Sequence, residues 1–279
     1  MTPLKSVFQN CIDQHTALPS FNLDSFEIYQ AVEKAVTKTG LPCLVQLSPN
    51  EDSFLEAEKI CLLVKKANLH GLPIYLNMDH GNNVDRLLTL ARFGFDMLHF
   101  DGSKMDYPTN LSTTKYFVEK VKAINPEILI EAEFNHINLV GSAIDESSYT
   151  TPESALDFIN QTKADILAVS IGNLHGVSTQ AEERLNISLF SQIKSVLPNT
   201  FFTLHGGSGI SSDQIDSAIK LGIVKININT NLRLAFLKEL RHQLTLQQSE
   251  KIYDYFIPTI DQLSVLIEQR LINFHQPKS

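Results

Sequence analysis

The chain has 279 residues, of which 43% are hydrophobic and 19% charged, a composition typical of a globular protein and unlike that of a disordered chain. Its 23 basic and 31 acidic residues give a net charge of −8 without a basic run, which argues against nucleic acid or an anionic membrane as the main partner. No apolar stretch has the pattern of a signal peptide or a membrane span, so the sequence predicts a cytoplasmic protein. The 3 cysteines lack the paired spacing of a metal site, and Cys43 and Cys61 lie in apolar patterns that predict core thiols.

Short apolar runs recur along the chain and predict buried strands. Between them lie longer stretches with apolar residues three and four positions apart, which predict helices. The predicted strands are residues 17–21, 42–47, 73–78, 95–100, 127–133, 165–171, 200–204 and 223–228. The predicted helices are residues 25–39, 54–68, 84–93, 113–123, 152–161, 187–196, 212–221 and 232–246.

This alternation predicts an α/β fold, a single (β/α)8 TIM-barrel domain over residues 1–279, better than it predicts an open sheet. The right-handed rule for parallel crossovers makes such a closure natural. A further amphipathic stretch at about residues 252–274 predicts an additional C-terminal helix with one buried face. The pattern leaves open whether that face packs on the barrel or on a partner subunit.

Polar side chains stand at the carboxyl ends of the predicted strands. Active sites of parallel barrels are built from the loops that follow the strands, so we expect these side chains to meet on one rim. They are Asn22, Ser48, Asp79, His80, Asp101, Glu133, Asn173, His175, His205, Asn227, Asn229 and Thr230.

Three histidines on this rim share the same local pattern. His80, His175 and His205 each follow a predicted strand and are each followed by glycine. Three neutral imidazoles are typical of a catalytic zinc site, which keeps one coordination position open. Any one of them alone is equally well explained as a hydrogen-bonded structural histidine. Their matching positions favour the metal site.

Two segments predict a phosphate site. Gly206–Gly209 precedes a predicted helix, where glycines let backbone amides approach an anion and the helix N-terminus favours its charge. Asn227–Thr230 opens the last barrel helix and offers further amides and a hydroxyl. Phosphate often binds between the loops after strands seven and eight of a TIM barrel, which is where both segments fall. Tight turns also require glycine, so neither segment is specific alone.

Together these motifs resemble the class II, metal-dependent ketose-bisphosphate aldolases, the family of fructose- and tagatose-bisphosphate aldolases. The resemblance covers about residues 10–236 and implies a TIM barrel, zinc and reversible aldol cleavage of a phosphorylated ketose. The motifs that carry it are Asp79-His80-Gly81, Asp101-Gly102-Ser103, Glu131-Ala132-Glu133, Gly172-Asn173-Leu174-His175-Gly176, His205-Gly206-Gly207-Ser208-Gly209 and Asn227-Ile228-Asn229-Thr230.

The resemblance implies roles for individual residues at the reacting centre. His80, His175 and His205 are implied to bind one catalytic zinc ion. Asp79 is implied to be the acid/base group that acts on the hydroxyl of the bond-cleaving carbon, with a dihydroxyacetone phosphate-type donor and an aldehyde as the cleaved fragments.

Further implied roles concern a second ion, the substrate and the assembly. Asp101 and Glu133 match acids that provide a second position for a metal ion, and an additional monovalent cation is compatible with the family. The partners implied are a small phosphorylated sugar or carbonyl substrate and further copies of the chain in a homodimer or homotetramer. Residues implied to line the substrate and phosphate site are Ser48, Gly176, Gly206, Gly207, Ser208, Asn227, Asn229 and Thr230.

The loop after Glu133 departs from the family pattern. The usual glycine pair is missing, and the acid that handles the proton on the second carbon would fall at Gly141. Asp145 and Glu146 are candidates to replace that acid, although solvent-exposed charges are the more ordinary state of loop residues.

Two other departures concern charge. Residues 177–180 lack the aromatic residue and the lysine expected near the phosphate, and Glu51 and Asp52 form an acidic pair where the family has a glycine-containing loop. A less positive rim disfavours the binding of two phosphates. We therefore expect a substrate other than a standard ketose bisphosphate.

Other readings stay open. Lys225 alternates with Asn227 on the last strand, so a Schiff-base mechanism is formally compatible, although the family does not use this lysine in that way. A regulatory homologue that keeps the metal but has lost the proton-handling loop belongs to a different functional class. Zinc-assisted hydrolysis is a third reading, since three histidines and an acid can also activate water.

Overall fold

A computed structural model describes residues 1–135, 137, 148–174, 184–206, 209–246 and 248–278. Within them, eight parallel strands pair in chain order and close into a barrel, which confirms the predicted TIM-barrel fold. The strands are β1 (Leu18–Asn22), β2 (Cys43–Leu47), β3 (Ile74–Gly81), β4 (Met97–Asp101), β5 (Leu129–Glu133), β6 (Ile166–Ala168), β7 (Phe201–Leu204) and β8 (Ile223–Ile228).

Every predicted helix is present. Three of the predicted ranges match the structure at both ends, while α6 begins six residues earlier than predicted because Asp106 caps it and Pro108 favours its first turn. The helices of the described residues are α1 (Leu4–Gln14), α2 (Phe26–Thr39), α3 (Pro49–Leu55), α4 (Ala57–Leu69), α5 (Val84–Phe93), α6 (Tyr107–Ile124), α7 (Pro152–Thr162), α8 (Ile187–Val196), α9 (Ser212–Leu221), α10 (Thr230–Leu246) and α11 (Tyr253–His275).

The segment after β2 was predicted as a loop and is instead the short helix α3. Ser48 is its N-cap, Pro49 occupies the first turn, and Glu51 completes a capping box by accepting the backbone N–H of Ser48. Glu56, with φ of 59°, separates α3 from α4. The capping box fixes Glu51 at the mouth of the barrel.

Four strands end at other residues than predicted: β1 and β4 each extend one residue further, and the larger differences are in β6 and β3. β6 stops at Ala168, since residues 169–171 leave the ladder while remaining buried. β3 continues to Gly81, so that Asp79 and His80 belong to the strand itself. The extension of β3 to Gly81 shapes the candidate site described below.

The barrel interior is apolar at its amino-terminal end. Helix α1, which was not predicted, closes that end, and the ring of Phe8 packs edge-on against Phe201 with centroids 5.5 Å apart. The strand residues of this layer are Leu18, Leu44, Tyr75, Met97, Leu129, Ile166, Phe201 and Val224. Burial of this layer removes water from below the polar residues that follow it.

Between this apolar layer and the rim of the barrel, the inward-facing residues are polar. Because side chains alternate along each strand, the residues two positions further on form a second layer. Its polar members from β1 to β7 are Ser20, Gln46, Asn77, His99, Glu131 and Thr203, all with 0% exposure. Lys225 of β8, also with 0% exposure, joins them one position after Val224, where the pairing of β7 and β8 shifts register. This layer supports the residues at the mouth.

Helix α11 packs on the barrel wall, which answers the question that its sequence left open. It contacts α2 and β1, and the carbonyl of Phe274 accepts the N–H of Ala17 at 3.0 Å. Leu263, Ile267 and Leu271 form its buried face, as expected from their spacing. None of the helices that the structure describes has the length and apolarity needed to cross a membrane.

Candidate active site

Asp79 and His80 both face the barrel mouth because β3 contains a bulge. Neighbouring residues of a regular strand point to opposite faces. Here the pairing between β3 and β4 slips between Met78 and Gly81, and His80 has a left-handed φ of 51°. The extra residue in β3 lets the side chains of two consecutive residues, Asp79 and His80, point into the same site.

Asp79 is buried and surrounded by amide donors. Its Oδ1 accepts from Asn227 Nδ2 at 3.1 Å, and its Oδ2 accepts from Gln46 Nε2 at 3.1 Å. Burial alone would raise the pKa of Asp79, but nearby His80 and a contact with His99 hold it well below its usual range. Asp79 is therefore a carboxylate at neutral pH and can accept a proton.

His80 is oriented by Asp101. The Nδ1 of His80 lies 2.8 Å from Asp101 Oδ2, while the other oxygen of Asp101 accepts from the backbone and hydroxyl of Ser103 at 3.0 and 2.6 Å. Burial alone would raise the pKa of Asp101, but the hydrogen bond from His80 outweighs burial and holds the pKa well below its usual range. The acid is therefore ionised. An ionised Asp101 fixes the proton of His80 on Nδ1 and leaves Nε2 facing the site.

His205 is oriented in the same way by Glu131. Its Nε2 lies 2.7 Å from Glu131 Oε1, and the other oxygen of Glu131 accepts from Lys225 Nζ at 3.0 Å. Burial lowers the pKa of His205, so the ring is neutral, with its proton on Nε2 and its lone pair on Nδ1. Lys225 is fully buried in this ion pair, which disfavours its use as a Schiff-base nucleophile.

The second nitrogens of these two imidazoles face each other. His80 Nε2 and His205 Nδ1 are 3.0 Å apart, close to the ~3.3 Å separation of two nitrogens that share a tetrahedral zinc ion at about 2.0–2.1 Å. Burial lowers the pKa of His80, but Asp79 and Asp101 outweigh it and raise the pKa above its usual value. A proton between the rings satisfies both nitrogens, and a metal ion could take its place. This donor set fits a divalent metal.

Carboxylates provide a second group of metal-type donors beside the histidines. Atoms of His80, Asp101 and Glu133 lie within 4.8 Å of one another, and Glu133 Oε2 is 3.7 Å from His80 Nδ1. The structure thus brings together both acids that the sequence linked to a second ion position. Asp79, His80, His99 and His205 form the other group with this spacing in the described part of the chain.

His99 belongs to this cluster and was not predicted. Its ring centroid lies 4.8 Å from that of His80 and 5.1 Å from that of His205, and its side chain is fully buried. Its Nδ1 accepts the backbone N–H of His80 at 3.0 Å, which requires an unprotonated Nδ1 and places the ring proton on Nε2.

The rim near β8 offers acceptors and backbone amides. The side-chain oxygens of Asn227 and Asn229 are buried and have no hydrogen-bond partner among the described residues. Thr230 begins α10 two residues after β8 ends, so the N-terminus of this helix lies at the carboxyl end of that strand. Gly206 has φ of 74°, and a Cβ there would lie 1.9 Å from the carbonyl oxygen of Leu174, so only glycine fits. Several predicted site residues lie outside the described residues: His175, Gly176, Gly207, Ser208, Asp145 and Glu146.

The opposite rim, after β1 and β2, carries a buried acid. Glu51 accepts from Asn22 Nδ2 at 3.0 Å, and the same Nδ2 lies 3.5 Å from Asp79 Oδ2. Burial raises the pKa of Glu51 to about 8, with a hydrogen bond to Asp24 adding to the effect and the amide of Ser48 opposing it. The predicted phosphate ligand Ser48 therefore donates its amide to a carboxyl group, at 2.6 Å.

The other member of the acidic pair does not reach the site. Asp52 receives two hydrogen bonds from Arg86, at 2.8 and 2.7 Å, and Arg86 also pairs with Glu58. This ion-pair network joins α3, α4 and α5 on the outer wall. Of the two acids noticed in the sequence, Glu51 is the one placed at the mouth.

Strand alternation is the signal that could have identified the missed interior residues. His99 lies two positions before Asp101, and Glu131 lies two positions before Glu133. The register pairs His99 with Glu131 and Asp101 with Glu133. Once Asp101 and Glu133 are assigned to the inner face, the period of two places the other pair inside the barrel as well.

Comparison with known proteins identifies the family. The family model for class II fructose-bisphosphate aldolase matches residues 2–277. The fructose-bisphosphate aldolase of Ureaplasma parvum is 30% identical over 258 residues, which cover 88% of this chain and 86% of that protein. The Streptococcus pneumoniae (strain TIGR4) fructose-bisphosphate aldolase is 32% identical over 228 residues, covering 80% of this chain and 77% of the relative.

Solved structures agree with this assignment. The YdjI aldolase from Escherichia coli K12 matches with a TM-score of 0.85 at 25% identity, over 98% of this chain and 97% of that chain. The fructose-bisphosphate aldolase from Campylobacter jejuni shares the fold, with a TM-score of 0.82 at 21% identity over 99% and 95% of the two chains. The chain thus belongs to the class II fructose-bisphosphate aldolase family and is an aldolase, a carbon–carbon lyase.

Proposed function

We propose that this aldolase uses zinc held by His80, His175 and His205, and that Asp79 transfers the proton of the cleaved hydroxyl. The observation that carries the proposal is the pair of imidazole nitrogens 3.0 Å apart, each on a ring whose other nitrogen faces a carboxylate. Carboxylate-oriented histidines are typical of zinc sites. Bound zinc would supply Lewis acidity toward the carbonyl oxygen of the ketone fragment.

Asp79 is suited to proton transfer by its charge and position. It is ionised, it lies beside both described histidines of the proposed metal site, and amide groups hold its two oxygens. In cleavage it would take the hydroxyl proton of the carbon that becomes the aldehyde, and in condensation it would return that proton. A positioned general base contributes about 10²–10⁴-fold to the rate.

Neighbouring residues would bind the substrate rather than move protons. The buried, unpartnered oxygen of Asn227 can accept a substrate hydroxyl next to Asp79. The N-terminal amides of α10 and the loop at Gly206 are suited to a phosphate group, since an anion there interacts favourably with the helix dipole. The substrate phosphate would then lie over β7 and β8.

The substrate is proposed to be a phosphorylated ketose other than a standard bisphosphate. The support is Glu51, which occupies the amide of Ser48 and shares Asn22 with Asp79. Glu51 leaves that end of the site without a free amide at Ser48 for a second phosphate, it would repel one above its raised pKa of about 8, and it can bind hydroxyl groups. The aldehyde fragment is therefore proposed to carry hydroxyls and no phosphate.

Metal analysis of two variants tests the roles of the reacting centre. We expect His80→Ala to lose both zinc and activity. Asp79→Asn should retain zinc while kcat for aldol cleavage falls about 10²–10⁴-fold. Purified protein that is active after complete zinc removal by a chelator would overturn the metal proposal, and an Asp79→Asn variant with normal kcat would overturn the role of Asp79.

A substrate screen tests the second part. With dihydroxyacetone phosphate as donor, condensation should be faster with unphosphorylated hydroxyaldehydes than with glyceraldehyde 3-phosphate. Glu51→Gln should narrow that difference above pH 8, where Glu51 is ionised in the wild-type protein and the glutamine carries no charge. Robust turnover of fructose 1,6-bisphosphate or tagatose 1,6-bisphosphate by the wild-type protein would refute the proposed substrate class.

A further inference from the structure

The bulge in β3 interrupts the backbone hydrogen bonds between β3 and β4 opposite His99. Asn77 and Met78 pair in register with Met97 and Leu98 of β4, and pairing resumes between Gly81 and Phe100. Two residues of β3 therefore stand opposite one residue of β4. A bulge of this kind leaves a backbone group without its regular ladder partner.

The side chain of His99 supplies the missing partner. Its Nδ1 accepts the backbone N–H of His80 at 3.0 Å, and His80 is the residue with the left-handed φ of 51°. A non-glycine residue in this conformation is strained and persists only where its surroundings hold it. The imidazole of His99 is fully buried, so water cannot replace it as the acceptor.

The other end of the same ring reaches a second residue of the site. His99 Nε2 and Glu133 Oε2 are 3.5 Å apart, and neither atom has a hydrogen-bond partner among the described residues. Because Nδ1 accepts a hydrogen bond from the backbone N–H of His80, the proton of the ring lies on Nε2. That nitrogen points a donor toward Glu133 and has no lone pair for a metal ion.

We infer that His99 is a positioning residue, which holds the β3 bulge through its Nδ1 and so aims Asp79 and His80 into the same site. This inference rests on the proposed function only in that His80 is taken to bind zinc. His99 acts through its neighbours: its Nδ1 fixes the backbone of a proposed ligand, and its Nε2–H faces the carboxylate of Glu133. Supporting groups of this kind typically change metal affinity by about 10–100-fold when removed.

Three substitutions separate the two ends of the ring. His99→Asn places an amide oxygen near the position of Nδ1 and can still accept the N–H of His80. His99→Gln extends its amide toward the position of Nε2 and can reach only Glu133. His99→Leu fills similar space without either contact. Thr203→Val is the control, since Thr203 is fully buried in the same layer and its hydroxyl has no partner among the described residues.

The measurement is zinc affinity of the purified full chain, by competition with a fluorescent chelator. We expect zinc binding to weaken about 10–100-fold in His99→Leu and in His99→Gln. His99→Asn and Thr203→Val should stay within about threefold of wild type, on the same reasoning about the retained acceptor. Far-ultraviolet circular dichroism and urea midpoints show whether each variant is folded, and kcat should fall with zinc affinity at subsaturating metal.

The outcomes distinguish this inference from the proposed function. Wild-type protein that binds no zinc refutes the proposed metal site. Wild-type protein that binds zinc together with a folded His99→Leu of unchanged affinity refutes the positioning role. If His99→Asn is folded but binds zinc as weakly as His99→Leu, the contact with the His80 amide is not what matters and the inference is overturned. If His99→Leu does not fold, the contrast between the Asn and Gln variants decides.

Discussion

Replacement of Glu131 by Gln should destabilise the fold strongly, because it leaves Lys225 buried without a counter-charge. The two side chains have 0% exposure and their charged atoms are 3.0 Å apart. At an effective dielectric constant of about 20, two charges at that distance attract with about 5–6 kcal/mol. Removal of one partner of a buried pair typically costs about 3–5 kcal/mol, so we expect a loss of that size in the free energy of unfolding.

Urea unfolding followed by circular dichroism measures this loss, and two further variants serve as controls. Asp261→Asn removes an ion pair with Lys34 that is similarly short, 2.6 Å, but about half exposed (54% and 50%), and should cost at most about 1 kcal/mol. Addition of Lys225→Met to Glu131→Gln removes the unpaired charge and should recover most of the lost stability. The amide oxygen of the glutamine introduced by Glu131→Gln would still accept the Nε2–H of His205, which isolates the charge from the hydrogen bond.

Two results would refute this reasoning. A Glu131→Gln variant as stable as Asp261→Asn would mean that Lys225 finds another partner or loses its proton at little cost. A double variant no more stable than Glu131→Gln would mean that the loss comes from packing around the amide and not from the stranded ammonium group. In either case the buried pair would not be the main electrostatic support of the layer beneath the proposed metal site.

Two further predictions concern the rim. Gly206→Ala should abolish zinc binding and activity, because the added Cβ would lie 1.9 Å from the carbonyl oxygen of Leu174. Gly40→Ala is the control, since Gly40 also has a positive φ but has open space around it. That variant should lose only about 1 kcal/mol of stability and keep full activity. Glu51→Gln should change how stability depends on pH: the folded pKa of Glu51 is about 8, above its ordinary 4.5, so the wild-type group binds a proton more readily in the folded state and its contribution is lost as pH rises through 8. Between pH 6 and pH 8 the variant should therefore gain about 2 kcal/mol relative to wild type in urea unfolding, at about 1.4 kcal/mol per pH unit, and parallel curves would refute the raised pKa.

Much of the fold could be predicted because its signals are local and repeated. Each buried strand is a short apolar run, each outer helix has a stripe of apolar residues, and eight such units leave few alternatives to a closed barrel. The missed helix α3 also had a local signal, the Ser48-Pro49-Asn50-Glu51 capping box. Helix α1 had none as clear, since its buried face matches the open end of a barrel that exists only after folding.

The sequence predicted which of the described candidate residues lie close together, but not the geometry that brings them there. His80 and His205 stand together as expected, and Asp101 and Glu133 lie beside them. The bulge at His80 could not be read from the sequence, since it depends on an acceptor that is 19 residues away along the chain. His99 itself was hidden by its neighbours, because an isolated histidine in an apolar run has the pattern of an ordinary core residue.

Charged and hydrogen-bonding groups differ between the two sides of the barrel mouth, and this difference bears on the proposed substrate. Among the described residues Lys225 is the only lysine or arginine that is fully buried, and it is engaged by Glu131. Arg233, near the mouth, pairs with Asp24 at 3.3 Å. On the β7 and β8 side, the start of α10 and the backbone at Gly206 are the groups suited to an anion. On the β1 and β2 side the corresponding amide already binds Glu51. This arrangement is the one expected for the proposed substrate, a ketose with a single phosphate, whose phosphate would lie at one end of the mouth and whose hydroxyl groups would lie at the other.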